Sequence, residues 1–129
     1  MQRAATKKDW KTCPMPEKNE SFIFDRSFSE EEMGMLKLGY IPQEMEDKWF
    51  GYMEEDTLHI HRSWTGFCIY IVKISEGDKH SVVANRDPEQ HRNNSVEEDM
   101  KVLNRLLDWW CKPEHRVMSC QIKTSKAGE

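Results

Sequence analysis

No stretch of the 129 residues approaches the ~18 uninterrupted apolar positions of a membrane-spanning helix, so no helical membrane anchor is expected. Residues 1–8 are basic, but Asp9, Trp10 and Lys11 follow where a secretory leader would carry its apolar core. The expectation is a cytoplasmic protein. Cations are not in excess either, since 19 Lys and Arg face 23 Asp and Glu, giving a formal charge of -4 and an isoelectric point of about 5.8. Duplex nucleic acid and anionic lipid both need clustered Lys and Arg, so neither is an expected partner, although a local basic pocket stays open. Glycine is sparse, with 6 residues, and no glycine-rich phosphate loop, nucleophile elbow or His-Glu-x-x-His motif occurs. The four cysteines (Cys13, Cys68, Cys111 and Cys120) lack Cys-x-x-Cys spacing, which argues against a zinc knuckle or redox pair and for reduced thiols. Asn19-Glu20-Ser21 and Asn93-Asn94-Ser95 fit the glycosylation pattern, but carry no meaning without a secretion route.

What is present reads as one α+β domain. Residues 1–20 mix charge with Pro14 and Pro16 and show no period, so they form an expected flexible arm that Trp10 can pin. Residues 21–112 hold the domain and 113–129 form a tail without apolar period. Residues 21–26 suit a short edge strand. Ser29 followed by Glu30, Glu31 and Glu32 is a capping signature for a short N-terminal helix that stops near Gly39, ahead of Pro42. From residue 48 the texture changes to strands at 48–53, 57–62, 67–74 and 81–85, joined by turns at Glu54-Glu55-Asp56, Ser63-Trp64-Thr65-Gly66 and Glu76-Gly77-Asp78-Lys79. The third of these is apolar on both faces and should be central. The outcome is an antiparallel meander sheet of four to five strands. Ser95 and Glu98 repeat the capping signature, and Val96, Met100, Leu103, Leu107 and Trp110 recur at helical spacing, widened by Val102, Leu106 and Trp109. This C-terminal helix must pack on one face of the sheet. The acids at 30–32 and 97–99 are expected to complement the helix dipoles and nothing more.

Four groups of residues carry chemistry. At the corner Arg62-Ser63-Trp64-Thr65-Gly66, a guanidinium beside hydroxyls and turn amides suits a phosphate or carboxylate, and the indole can stack on a base or sugar. The opposing view pairs Arg62 with Glu54 or Asp56 and leaves Trp64 in the core. Asn85-Arg86-Asp87 ends the strand two places along, and in a meander that end lies beside Arg62. Either an anion sits between the two arginines or Asp87 and Glu89 neutralise them. His59 and His61 share one side of a strand at ~6.5 to 7 Å, a spacing that a metal ion can bridge if His80, His91 or a carboxylate supplies a third ligand. Two histidines alone are weak evidence for a metal, a half-buried pair hydrogen-bonded to backbone or ligand is the commoner arrangement, and no metal site is assigned. Glu54, Glu55 and Asp56 can orient His61, but a solvated turn explains them too.

The runs Lys48-Trp49-Phe50, His61-Arg62-Ser63-Trp64-Thr65-Gly66-Phe67-Cys68-Ile69-Tyr70 and Asn85-Arg86-Asp87-Pro88-Glu89-Gln90 resemble a small uncharacterised bacterial domain family found alone or near ADP-ribosylglycohydrolase and macrodomain-type proteins. The resemblance spans about residues 45–110 and transfers no catalytic residue. It implies a nucleotide or ADP-ribose ligand, which Arg62, Ser63, Trp64, Thr65, Asn85, Arg86 and Asp87 would bind. If there is catalysis, His61 is the expected acid or base, with Arg62 countering negative charge. Two alternatives accompany this expectation. One is an interaction domain of the immunity or adaptor kind with a protein partner, and the other is a histidine-ligated metal hydrolase. No cofactor is implied.

Overall fold

A computed structural model describes residues 5–42, 47–92 and 95–111. The expected C-terminal tail lies outside these. After a 3-10 turn at Lys7–Asp9, the elements run β1 (Asn19–Asp25), α1 (Glu30–Leu38), β2 (Trp49–Glu54), β3 (Thr57–Arg62), β4 (Cys68–Lys73), β5 (Lys79–Asn85) and α2 (Val96–Trp110). The strands form one antiparallel sheet in the order β1-β5-β4-β3-β2. The protein is therefore α+β, a four-strand meander extended to five by an N-terminal strand on the β5 edge. β4 is central, as its unbroken apolar run requires, because a strand flanked on both sides can bury both faces. Among the described residues no helix is long and apolar enough to cross a membrane.

Local chemistry explains the punctuation. Ser29 accepts the Glu32 amide while Glu32 reaches back to the Ser29 amide, and α1 ends at Gly39, whose φ of 75° suits a residue without a side chain. The β2–β3 hairpin turns through Glu55 at φ 58°. The β3–β4 turn closes by bonds from the Gly66 amide to the Arg62 carbonyl and from the Arg62 amide to the Phe67 carbonyl, each 2.9 Å. Gly66 takes φ 82° there. A register irregularity between Ile60 and His61 lets β3 pair with Cys68 after Tyr70, so one residue of β4 bulges out.

Two unequal layers cover the sheet. On one face Leu58, Ile60, Tyr70, Val72, Val82 and Ala84 meet Leu103, Leu107 and Trp110 of α2 in the main core. On the other, Phe50 and Tyr52 form a smaller cluster with Ala5, Trp10 and Ile41. The segment expected as an arm supplies this second cover. Ala5 is buried and donates to the Leu38 carbonyl at 2.8 Å, the Trp10 indole donates to the Ser63 carbonyl at 2.6 Å, and the Cys13 amide donates to the Gly66 carbonyl at 2.8 Å. Trp10 also stacks on Phe50, with ring centroids 6.2 Å apart.

Candidate functional site

α2 has more apolar surface than the sheet can bury. Its positions 99, 103, 106, 107 and 110 are buried, whereas Val102, Arg105 and Trp109, spaced by three and four, flank that stripe. These flanking side chains, with Leu106, form one wall of a cleft of about 840 Å³. The other walls are the paired ends of β2 and β3 (Trp49 and Arg62) with Asp47 and Lys48 just before β2, Thr65 and Phe67 of the β3–β4 connection, and residues 89–92 after β5. That volume lies within the ~300 to 1,000 Å³ of small-molecule sites. Four cations (Lys48, Arg62, Arg92 and Arg105) face two acids (Asp47 and Glu89) among its lining residues, so the cleft is locally basic in an acidic chain.

Arg62 is the best-defined of these cations. Trp49 is its register partner across the hairpin, so their side chains leave the same face of the sheet. The guanidinium lies 4.8 Å from the Trp49 ring centroid, and among the described residues no carboxylate reaches it. The planar group is thus held by stacking while its donors stay uncommitted. Trp49 in turn stacks near Tyr70 at 6.4 Å, and Trp109 meets Tyr40 edge-on at 4.6 Å.

The cleft gathers some of the sequence candidates and leaves out others. Arg62 and Thr65 line it; Ser63, Trp64, Asn85, Arg86, Asp87 and His61 do not. Arg86 ends at the same sheet edge as Arg62, but its guanidinium is taken up by Asp99 at 2.6 Å and Glu20 at 2.8 Å. The expected neutralisers were Asp87 and Glu89; the actual ones come from α2 and β1. Asn85 is buried, donating to the Cys68 carbonyl at 2.8 Å and to Gln90 at 2.9 Å, while its own oxygen accepts the Asp87 amide at 2.8 Å. Asp87 accepts the Glu89 amide and so shapes the loop that carries His91. Ser63 is buried and donates to the Asp47 carbonyl at 2.7 Å, and Trp64, expected as a stacking platform, is 65% exposed.

His61 lies on the face opposite Arg62, as strand alternation dictates. It is 3% exposed, its Nδ1–H donates to the Gly66 carbonyl at 3.0 Å, and its Nε2 is buried without a partner among the described residues. That environment does not suit exchange of protons with a ligand. His59 and His61 stack in turn against Tyr52, at 4.7 and 5.9 Å, and burial pushes both imidazoles below the ordinary histidine value. His80 is held at both nitrogens, by the Ser75 amide and the Arg26 carbonyl. Among the described residues no group of three or more His, Cys, Asp or Glu is placed to hold a metal ion.

Asp99 is the residue that sequence reasoning passed over. Counted among the acids of a helix start, it is completely buried and accepts from Tyr70 Oη at 2.7 Å and His91 Nε2 at 3.1 Å, opposite the Arg86 contact. Burial pushes its carboxyl up, but the bonds from His91, Tyr70 and Arg86 outweigh this and hold it below the usual carboxylate value. The available signal was its phase, because Asp99 falls four residues before Leu103 on the apolar stripe. Arg105 carries a similar signal as a charge beside that stripe. No family model, curated protein or solved structure matches the chain.

Proposed function

We propose that the protein binds a small phosphorylated ligand, a nucleotide or ADP-ribose derivative, in the cleft between the β2–β3 strand ends and α2. The observation that carries this is the state of Arg62, stacked on Trp49 and unpaired by any carboxylate among the described residues. Arg86, at the same sheet edge, shows what the fold does with an arginine it uses structurally, which is to place two carboxylates on it. Arg92, Arg105 and Lys48 add to the positive potential, and Trp49, Trp109 and Phe67 offer apolar surface for a base or sugar. The resemblance to domains that accompany ADP-ribose enzymes points the same way. A concave basic site at the Arg62 corner also favours this reading over a flat recognition surface, since both Trp49 and Trp109 face the hollow.

Calorimetric titration with ADP-ribose, ADP and inorganic pyrophosphate tests the reading. Arg62→Ala and Arg105→Ala are each expected to weaken binding about tenfold or more, equivalent to ~1.4 kcal/mol, and Trp64→Ala to leave it unchanged. Binding that is absent in the wild type, or indifferent to Arg62, would overturn the proposal.

A further inference from the structure

His91 lines the same cleft, and its two ring nitrogens have different surroundings. Nε2–H donates to Asp99 Oδ1 at 3.1 Å, which fixes the tautomer, and the ring meets Tyr70 edge-on at 5.7 Å, which fixes its tilt. Nδ1 has no partner among the described residues and is not one of the buried unpaired atoms, so it keeps contact with solvent, and the ring itself lines the cleft. Asp99 is fully enclosed, with Tyr70 on one oxygen and Arg86 on the other. Arg86 supplies the countercharge and Tyr70 a neutral hydrogen bond; the third donor, His91, comes from the cleft wall. A buried ionised carboxylate behind an imidazole whose far nitrogen is open is the arrangement that holds a general base in one orientation and stabilises the imidazolium it becomes.

We propose that His91 is the general base of a hydrolytic reaction at a phosphoanhydride or phosphoester of the ligand bound in this cleft, with Asp99 as its positioning residue. The proposal rests on the binding reading above. His91 Nδ1 takes a proton from a water molecule, and the water oxygen forms a bond to phosphorus. The bond from phosphorus to the leaving oxygen breaks, the electron pair stays with that oxygen, and the imidazolium returns the proton to it. One water is consumed and two fragments leave, for instance a nucleoside monophosphate and a sugar phosphate from a nucleoside diphosphate sugar. Charge gathering on the phosphoryl oxygens is countered by Arg62 and Arg105.

The test keeps binding and turnover apart. Full-length protein is incubated in magnesium-containing buffer with ADP-ribose, ADP and p-nitrophenyl phosphate, products are resolved by chromatography, and affinities are measured in parallel. His91→Gln, whose amide still donates to Asp99, is expected to lose at least about 100-fold in turnover while its affinity stays within about threefold. His91→Ala should regain turnover when imidazole is added, a response that a purely structural histidine would not show. Wild-type protein that binds a probe without cleaving it, or His91→Gln that cleaves at the wild-type rate, overturns the assignment of His91 and leaves the binding site standing. Failure to bind any probe overturns both.

Discussion

Asp99 is a charge with no exposed surface, and it is tolerable only because Arg86, Tyr70 and His91 all address it. Deleting one member of such a group strands the others, which is why Asp99→Ala is expected to destabilise the fold by about 3 to 5 kcal/mol in urea unfolding. Tyr70→Phe removes one neutral donor and should cost about 1 to 2 kcal/mol. The histidines set a second, separable dependence on pH. His59 and His61 have folded values pushed below the ordinary 6.5, first by burial, with Lys7 adding to it and Glu54 or the Gly66 carbonyl opposing. Below about pH 6.5 the unfolded chain therefore binds more protons than the folded one, and stability falls as pH falls from there. Asp99, held below 3.8, contributes stability that is lost only in a more acidic window. Melting temperature measured from pH 7.5 to 5.5 should decline, and His61→Gln should flatten the decline; an unchanged slope in that variant would remove His61 as its source. Such residue-scale facts were the least legible in the sequence. The corner at Arg62 was visible because turn chemistry marks it, but the partners of Arg86 lie 66 positions before it and 13 after it, on elements whose relative placement no local pattern encodes.

At the scale of elements, periodicity carried most of the information. Alternation at 57–62 and the apolar run of β4 named both strands and their order, and the three-four spacing after Ser95 located α2, Val96–Trp110, at both ends. What periodicity could not convey is where a helix surface stops being core. Val102, Arg105 and Trp109 look like a broadened stripe in one dimension and become a cleft wall once α2 is laid on a sheet too narrow to cover them. Gly51 shows the same limit from the other side. It faces α2 within β2, and a Cβ added there would fall inside the Trp110 ring, so a strand that would otherwise favour a large residue carries none. Gly51→Ala is expected to cost about 1 to 3 kcal/mol by forcing Trp110 out of its place, with a matching drop in denaturation midpoint. The displaced indole is next to Trp109, so the same variant should also weaken ligand binding in the calorimetric assay.

For the molecule as a whole, the sheet has one face covered by a helix and the other by residues 5–13, a cover with little secondary structure of its own. Composition alone made this segment look like a flexible arm; Trp10 was visible as a residue that can pin it, but the charge and prolines hide Ala5, the second anchor that seats it over Phe50 and Tyr52. Its hold is concentrated in the indole, which both stacks on Phe50 and closes a 2.6 Å bond to the Ser63 carbonyl beside the Arg62 corner. Trp10→Ala should therefore cost about 2 to 3 kcal/mol, below the full value for a core tryptophan because the ring is only partly buried. Cys68 supplies an independent reporter of that cover. It pairs in register with His61, so its side chain lies on the face beneath the segment, and burial pushes its thiol up to about 12, leaving it unreactive near neutral pH. Loosening the cover should make Cys68 alkylate faster in Trp10→Ala than in the wild type, with modification at each cysteine read by peptide mass mapping. Acceleration at Cys68 with Cys111, against α2, still protected would place the opening on the segment's side of the sheet. Equal acceleration at both would instead mean that the whole domain opens as one unit, and that the segment has no separable role in holding the Arg62 corner.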